Sequence, residues 1–85
     1  MDIQNIPTSN QLRAARQLLK LTQSQFAKMA KVSVSSLKKY ESAHDGALIF
    51  SIVSYVVVEK ILNFCTEKNI KFVCDDSVRG VLIEL

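Results

Sequence analysis

Four residues in the segment Ser33–Glu41, SVSSLKKYE, have types and a spacing suited to direct contact with base pairs. On a helix, Val34 and Ser35 occupy the first turn, and Lys38 and Lys39 follow one turn later on the same outward side. An ammonium bonds guanine O6 and N7, a serine hydroxyl bonds either kind of base edge, and a valine methyl packs on a thymine methyl. This set matches what a DNA major groove offers. On charge alone, an ordinary solvated lysine-rich surface is the better account of the same residues.

Charge distribution is compatible with the first account. From Met1 to Asp45 there are seven Lys or Arg against three acidic residues, a net of +4. From Gly46 to Leu85 there are four basic residues against five acidic ones, a net of −1. The whole positive excess lies in one half, as expected where that half meets a polyanion. Arg13, Lys28 and Lys31 are candidate phosphate contacts within it.

Other chemistries find little support. His44 stands alone in a polar turn without a neighbouring Cys, so neither a metal nor an acid–base role is expected. Cys65 and Cys74 lack metal spacing and fall within apolar patterns, which fits buried reduced thiols. Asp75 and Asp76 sit in a turn, where Asp bonds the backbone. No enzyme constellation, metal or cofactor is expected. The longest uncharged stretch, Gly46 to Val58, is 13 residues, short of the roughly 18 that span a bilayer. The opening MDIQNIPTSN shows no leader pattern. A cytoplasmic location without membrane contact is therefore expected.

The elements that must position these residues follow from capping and periodicity. Thr8 or Ser9 opens a first helix, Thr8 and Gln11 having capping-box spacing. Leu12, Ala15 and Leu18 or Leu19 turn inward, leaving Arg13, Gln17 and Lys20 outside. Thr22, with Gln25 three residues on, opens a second helix whose inner face is Phe26, Ala27 and Ala30. Val32–Ser33 is a turn, and Ser33 caps a third helix, Val34–Glu41, with Leu37 and Tyr40 inward. A connection of about three residues forces the second and third helices to cross steeply. The run ALIFSIV, 47–53, is open between helix and strand. Ser54 caps a further helix with Val57, Val58, Ile61, Leu62 and Cys65 inward, and IKFVC and VLIEL read as a hairpin about the turn DDSVRG.

Residues 11–42, QLRAARQLLKLTQSQFAKMAKVSVSSLKKYES, carry L-R-x-x-R, then T-Q, F-A, V-S and L-x-x-Y-E. This pattern resembles the Xre-type helix-turn-helix family of bacterial and phage repressors, and VEKILNFCTEKNIKF resembles the tail of its short members. The resemblance implies a mostly α fold, a repressor-like bundle of four to five helices with a C-terminal β-hairpin. It implies that Gln23 contacts a phosphate and braces a base-reading side chain. Thr22, chiefly a cap, and Ser33 join Gln23, Arg13, Lys28 and Lys31 as expected phosphate contacts. It also implies a structural clamp between Arg16 and Glu41. Two positions depart from the pattern: Lys20 and Lys31 stand where many members have Gly after a helix. In a left-handed backbone a Lys costs about 1 kcal/mol relative to Gly, so altered turns are expected. The linker 46–53 is also more apolar than a solvent-facing connection.

These expectations combine into a helix-turn-helix part, 1–68, and a hairpin, 69–85, that makes a dimer. Ile49, Phe50, Ile52, Ile70, Phe72, Val81 and Ile83 are the expected dimer interface. The function expected is sequence-specific regulation of transcription, by a homodimeric repressor on a palindromic stretch of double-stranded DNA. The rival is an antitoxin-type interaction module whose C-terminal half holds a toxin or other protein partner.

Overall fold

The computed structural model describes residues 6–43, 49–74 and 79–83. Expectations for His44, Asp75 and Asp76 lie outside these residues. In chain order the elements are α1 (Ser9–Leu18), α2 (Gln23–Ala30), α3 (Val34–Glu41), a 3-10 turn (Ile49–Ser51), α4 (Tyr55–Glu67), β1 (Ile70–Cys74) and β2 (Arg79–Ile83).

Each helix starts where a hydroxyl satisfies the first free amides. Thr8 accepts from the Gln11 amide at 3.1 Å while the Gln11 side chain accepts from the Thr8 amide at 2.9 Å. Thr22 and Gln25 repeat this reciprocal pair at 3.1 and 2.9 Å. Ser33 accepts from the Ser36 amide at 3.1 Å, and Ser54 from the Val57 amide at 3.3 Å.

Both lysines at the glycine-type positions are left-handed, with φ 58° at Lys20 and 65° at Lys31. The backbone closes each helix over them. Lys20 N–H donates to Gln17 O and Leu21 N–H to Arg16 O, at 3.0 and 3.2 Å. Lys31 N–H donates to Lys28 O and Val32 N–H to Ala27 O, at 3.3 and 2.9 Å. The turns therefore keep the glycine geometry instead of changing it, because the paired closing bonds require it whatever the residue. Asn69, with φ 60°, makes a third left-handed exit, from α4 into β1.

The core gathers Leu12 and Ala15 of α1, Phe26, Ala27 and Ala30 of α2, and Leu37 and Tyr40 of α3 against α4. Small Ala27 and Ala30 let α2 and α3 pack closely. Tyr40 is buried, with its hydroxyl donating to Pro7 O at 2.7 Å, and Ser9 Oγ donates to Ala43 O at 2.6 Å. Of the two leucines left open in α1, Leu19 is the half-buried one, while Leu18 is 48% exposed. Within the apolar run 47–53, the described residues 49–53 hold one 3-10 turn, Ile49–Ser51, followed by buried Val53.

The two strands pair antiparallel, Ile70 opposite Ile83 through Cys74 opposite Arg79. The hairpin rests on α1. Gln11 Nε2 donates to Val73 O at 2.8 Å and to Gly80 O at 3.1 Å, one bond to each strand. Ile70 is 7% exposed and belongs to the core with α4. Expected in a dimer interface, this side chain packs in the core of the single chain. Phe72 and Val81 are half-buried against that core, as are Ile49 and Ile52. The side chain of Ile83 lies outside what the structure describes. Phe50 is exposed and stacks on Tyr55, ring centroids 5.6 Å apart and planes 22° from parallel. Among the described residues no helix is long and apolar enough to cross a membrane.

Candidate nucleic-acid interface

The outward face of α3 is set by Leu37 and Tyr40, which are buried and fix the helix's rotation. Ser35, Lys38 and Lys39 are consequently exposed. Val34 is half-buried and packs partly against the core, so it presents less of itself than expected. Ser33 Oγ donates to Ser36 Oγ at 2.8 Å and lies 3.3 Å from Ser35 Oγ, which ties the first turn of α3 into one hydroxyl cluster.

An open groove of ≈ 550 Å³ runs between α1, the start of α2 and the end of α3, lined by Arg13, Arg16, Gln23, Lys38, Lys39, Glu41 and Ser42. Its floor is an ion pair. Arg16 Nε donates to Glu41 Oε2 at 2.9 Å, Nη2 donates to Oε1 at 3.1 Å, and Nη1 donates to Leu21 O at 2.9 Å. Gln23 Nε2 adds a bond to Glu41 Oε1 at 3.3 Å. The Glu41 side chain is 4% exposed and its charge is matched by Arg16. Arg16–Glu41 is the only ion pair among the described residues. Arg13, Lys38 and Lys39 therefore leave the groove's rim positive, although Arg13 Nη2 also donates to Asn10 Oδ1 at 2.6 Å.

The groove unites Arg13, Gln23, Lys38 and Lys39, residues drawn from three helices. Thr22 and Ser33 lie outside its lining and cap α2 and α3, while exposed Lys28 and Lys31 lie near the end of α2. Ser42, on the groove wall, was not anticipated; it is an ordinary residue just past the helix and carries no signal of its own.

Two buried core side chains, Cys65 and Tyr40, hold their protons more tightly than usual. Burial pushes the Cys65 thiol up to about 12. Tyr40 is raised above its usual value, first by burial and then by Cys65. The described residues hold no group of three or more His, Cys, Asp or Glu placed to share a metal ion.

The model of the helix-turn-helix family matches residues 12–47, a stretch that takes in most of α1, all of α2 and α3, and the whole groove lining. The matched stretch is similar to the helix-turn-helix family over 36 of the 85 residues. No curated protein matches the chain. The family is a DNA-binding, regulatory one and not an enzymatic one. In a helix-turn-helix the second helix of the motif lies in the major groove while the first crosses the backbone. Here those helices are α2 and α3, joined through Lys31, Val32 and Ser33. The bundle of four α-helices with a small C-terminal antiparallel sheet agrees with the fold expected from the resemblance.

Proposed function

We propose that this chain is a sequence-specific transcriptional regulator, a repressor that acts as a homodimer on palindromic DNA in the cytoplasm. The observation that carries this is the exposed end of α3: Lys38 and Lys39 beside a groove whose one carboxylate is already matched by Arg16. Ser35, Lys38 and Lys39, with the exposed part of Val34, contact bases. Gln23, Thr22, Ser33, Arg13, Lys28 and Lys31 hold phosphates on either side. Arg16 and Glu41 do not touch DNA; they clamp α1 to α3 and so set the angle at which α3 enters the groove. Gln23, bonded to the same carboxylate, holds the start of α2 in register with that angle.

A single recognition helix spans only a few base pairs, so useful affinity needs two copies on half-sites a whole number of DNA turns apart. The division into 1–68 and 69–85 is one of role and not of packing, since Ile70 and the Gln11 bonds bind the hairpin into the domain. Exposed Phe50, Tyr55 and Val56 supply the apolar surface for association, joined by the half-buried Ile49, Ile52, Phe72 and Val81.

The test is selection of bound fragments from a random DNA pool, then affinity measured over a salt series. Enrichment of an inverted repeat, and log K falling linearly with log salt, are the expected results. Salt-independent affinity, or no enrichment, overturns the proposal.

A further inference from the structure

Two of the connections in this small domain are built alike. Lys20, Leu21 and Thr22 join α1 to α2; Lys31, Val32 and Ser33 join α2 to α3. In each, a left-handed lysine is followed by a half-buried apolar residue and then by the hydroxyl that caps the next helix. Glycine takes a left-handed backbone without steric penalty, and a residue bearing a Cβ does not. A strained position held against the easier residue points to a use for its side chain. Lys31 has such a use in the phosphate contacts proposed above. Lys20 has none yet assigned.

The surroundings of Lys20 exclude a local role for its ammonium. The residue is exposed and makes no side-chain hydrogen bond, and no acidic group among the described residues pairs with it. Attraction to the carbonyl end of α1 returns part of the conformational cost, but salt weakens that attraction. The backbone beneath it is held firmly. Leu21 N–H is bonded to Arg16 O, and Leu21 O accepts from Arg16 Nη1 at 2.9 Å. The same guanidinium grips Glu41. Lys20 is thus displayed from a fixed point three residues before Gln23, on the connection that leads into the groove wall.

We infer that Lys20 is a further contact to the DNA backbone, the counterpart of Lys31 at the opposite end of α2; this rests on the DNA-binding reading above. Eight residues of α2 separate the two turns by about 12 Å at the ~1.5 Å rise of a helix, so the two ammoniums leave from opposite ends of α2. The contact carries no sequence information.

The experiment uses the full chain with Lys20→Gly and Lys20→Arg. Stability is read as the urea midpoint. Affinity is read by fluorescence anisotropy on a selected site and on a random duplex, over about 50 to 200 mM salt. Lys20→Gly is expected to keep or raise the urea midpoint while binding both duplexes roughly 3- to 10-fold more weakly at the lowest salt. Its slope of log K against log salt should shrink by about one. Lys20→Arg, with the same left-handed backbone and the same charge, should retain affinity and slope. Wild-type affinity and slope in Lys20→Gly overturn the inference. So does an equal loss in Lys20→Arg, which makes the effect one of turn geometry. If the unaltered chain binds neither duplex, the inference fails together with the reading beneath it.

Discussion

The edge of one ring of the Phe26–Phe64 pair meets the face of the other, centroids 5.0 Å apart and planes at 89°. This contact ties α4 to α2 and makes the tail of the chain part of the scaffold that holds the recognition helix. Both rings are buried. Phe64→Ala should cost about 3–5 kcal/mol. Phe64→Leu, which retains most of the buried area, should lose far less, about 0.5–1.5 kcal/mol for the ring pair and the rest for imperfect fit. Urea unfolding of the two variants measures both. Equal losses would mean that ring geometry adds nothing to burial.

Arg16 and Glu41 should behave asymmetrically. Arg16→Met leaves a nearly buried carboxylate with only the Gln23 amide as partner, and a cost of about 3–5 kcal/mol is expected. Removing both charges, in Arg16→Met with Glu41→Leu, should cost less than the single change. A double-mutant cycle by chemical denaturation reads the coupling. Additive losses would show that the two side chains act independently.

The core should make the fold sensitive to alkali. Cys65 rises from an ordinary 9.0 to about 12, and Tyr40 is also raised above its ordinary 10.0, both through burial. The folded chain therefore holds these protons after the unfolded chain has released them. Stability is fully present below pH 9 and declines as pH climbs toward 12. Unfolding free energy measured at successive pH values should show that decline, and Cys65→Val should delay its onset to the tyrosine range. The thiol of the native protein should also resist alkylation at pH 8.

Lys39 and Lys28 separate base reading from backbone holding. Lys39→Ala should cost about 1–3 kcal/mol on the preferred site and relax selectivity at one base position. Lys28→Ala should weaken all duplexes alike. Competition binding with single-base variants of the selected site distinguishes them. Identical behaviour would move base recognition away from the end of α3.

Association should depend on the apolar group at the start of α4. Val56 is 58% exposed and Tyr55 46%, so charge placed there disturbs little of the core. Val56→Glu should leave the urea midpoint within about 0.5 kcal/mol of the original. It should shift sedimentation from dimer to monomer at micromolar concentration. A variant that still sediments as a dimer would place the interface elsewhere.

What could be read beforehand follows the range of the physics. Thr8 with Gln11 and Thr22 with Gln25 close reciprocal bonds within four residues, so the starts of α1 and α2 were visible in the letters alone. Phe26, Ala27, Ala30, Leu37 and Tyr40 were found inward because a helix repeats its faces every few residues. Periodicity could not choose between Leu18 and Leu19, which lie on adjacent sides of α1. The 3-10 turn at Ile49–Ser51 is too short for any period to declare itself. The packing of Ile70 on its own core could not be foreseen, because a strand that rests on a helix and a strand that awaits a second copy carry the same alternation. Gln11 was recognised as half of a capping box; its bonds to Val73 and Gly80 span more than sixty residues, a distance over which spacing carries no information. In the groove, Arg16 and Glu41 came from a family pattern, whereas the position of Gln23 against Glu41 required the packed helices.

That amide of Gln11 also sets a timetable. A ribosome adds about 5–20 residues per second, and domains begin to fold as they emerge. α1, α2 and α3 are made first, but the side chain of Gln11 must wait for β1 and β2, made several seconds later, before both its donor hydrogens are engaged. Until then Ile70 is missing from the core and the first helix stands over an unfinished floor. The nascent helix-turn-helix is thus held short of its final rigidity until both strands have emerged, so that the first helix is completed by residues made long after it.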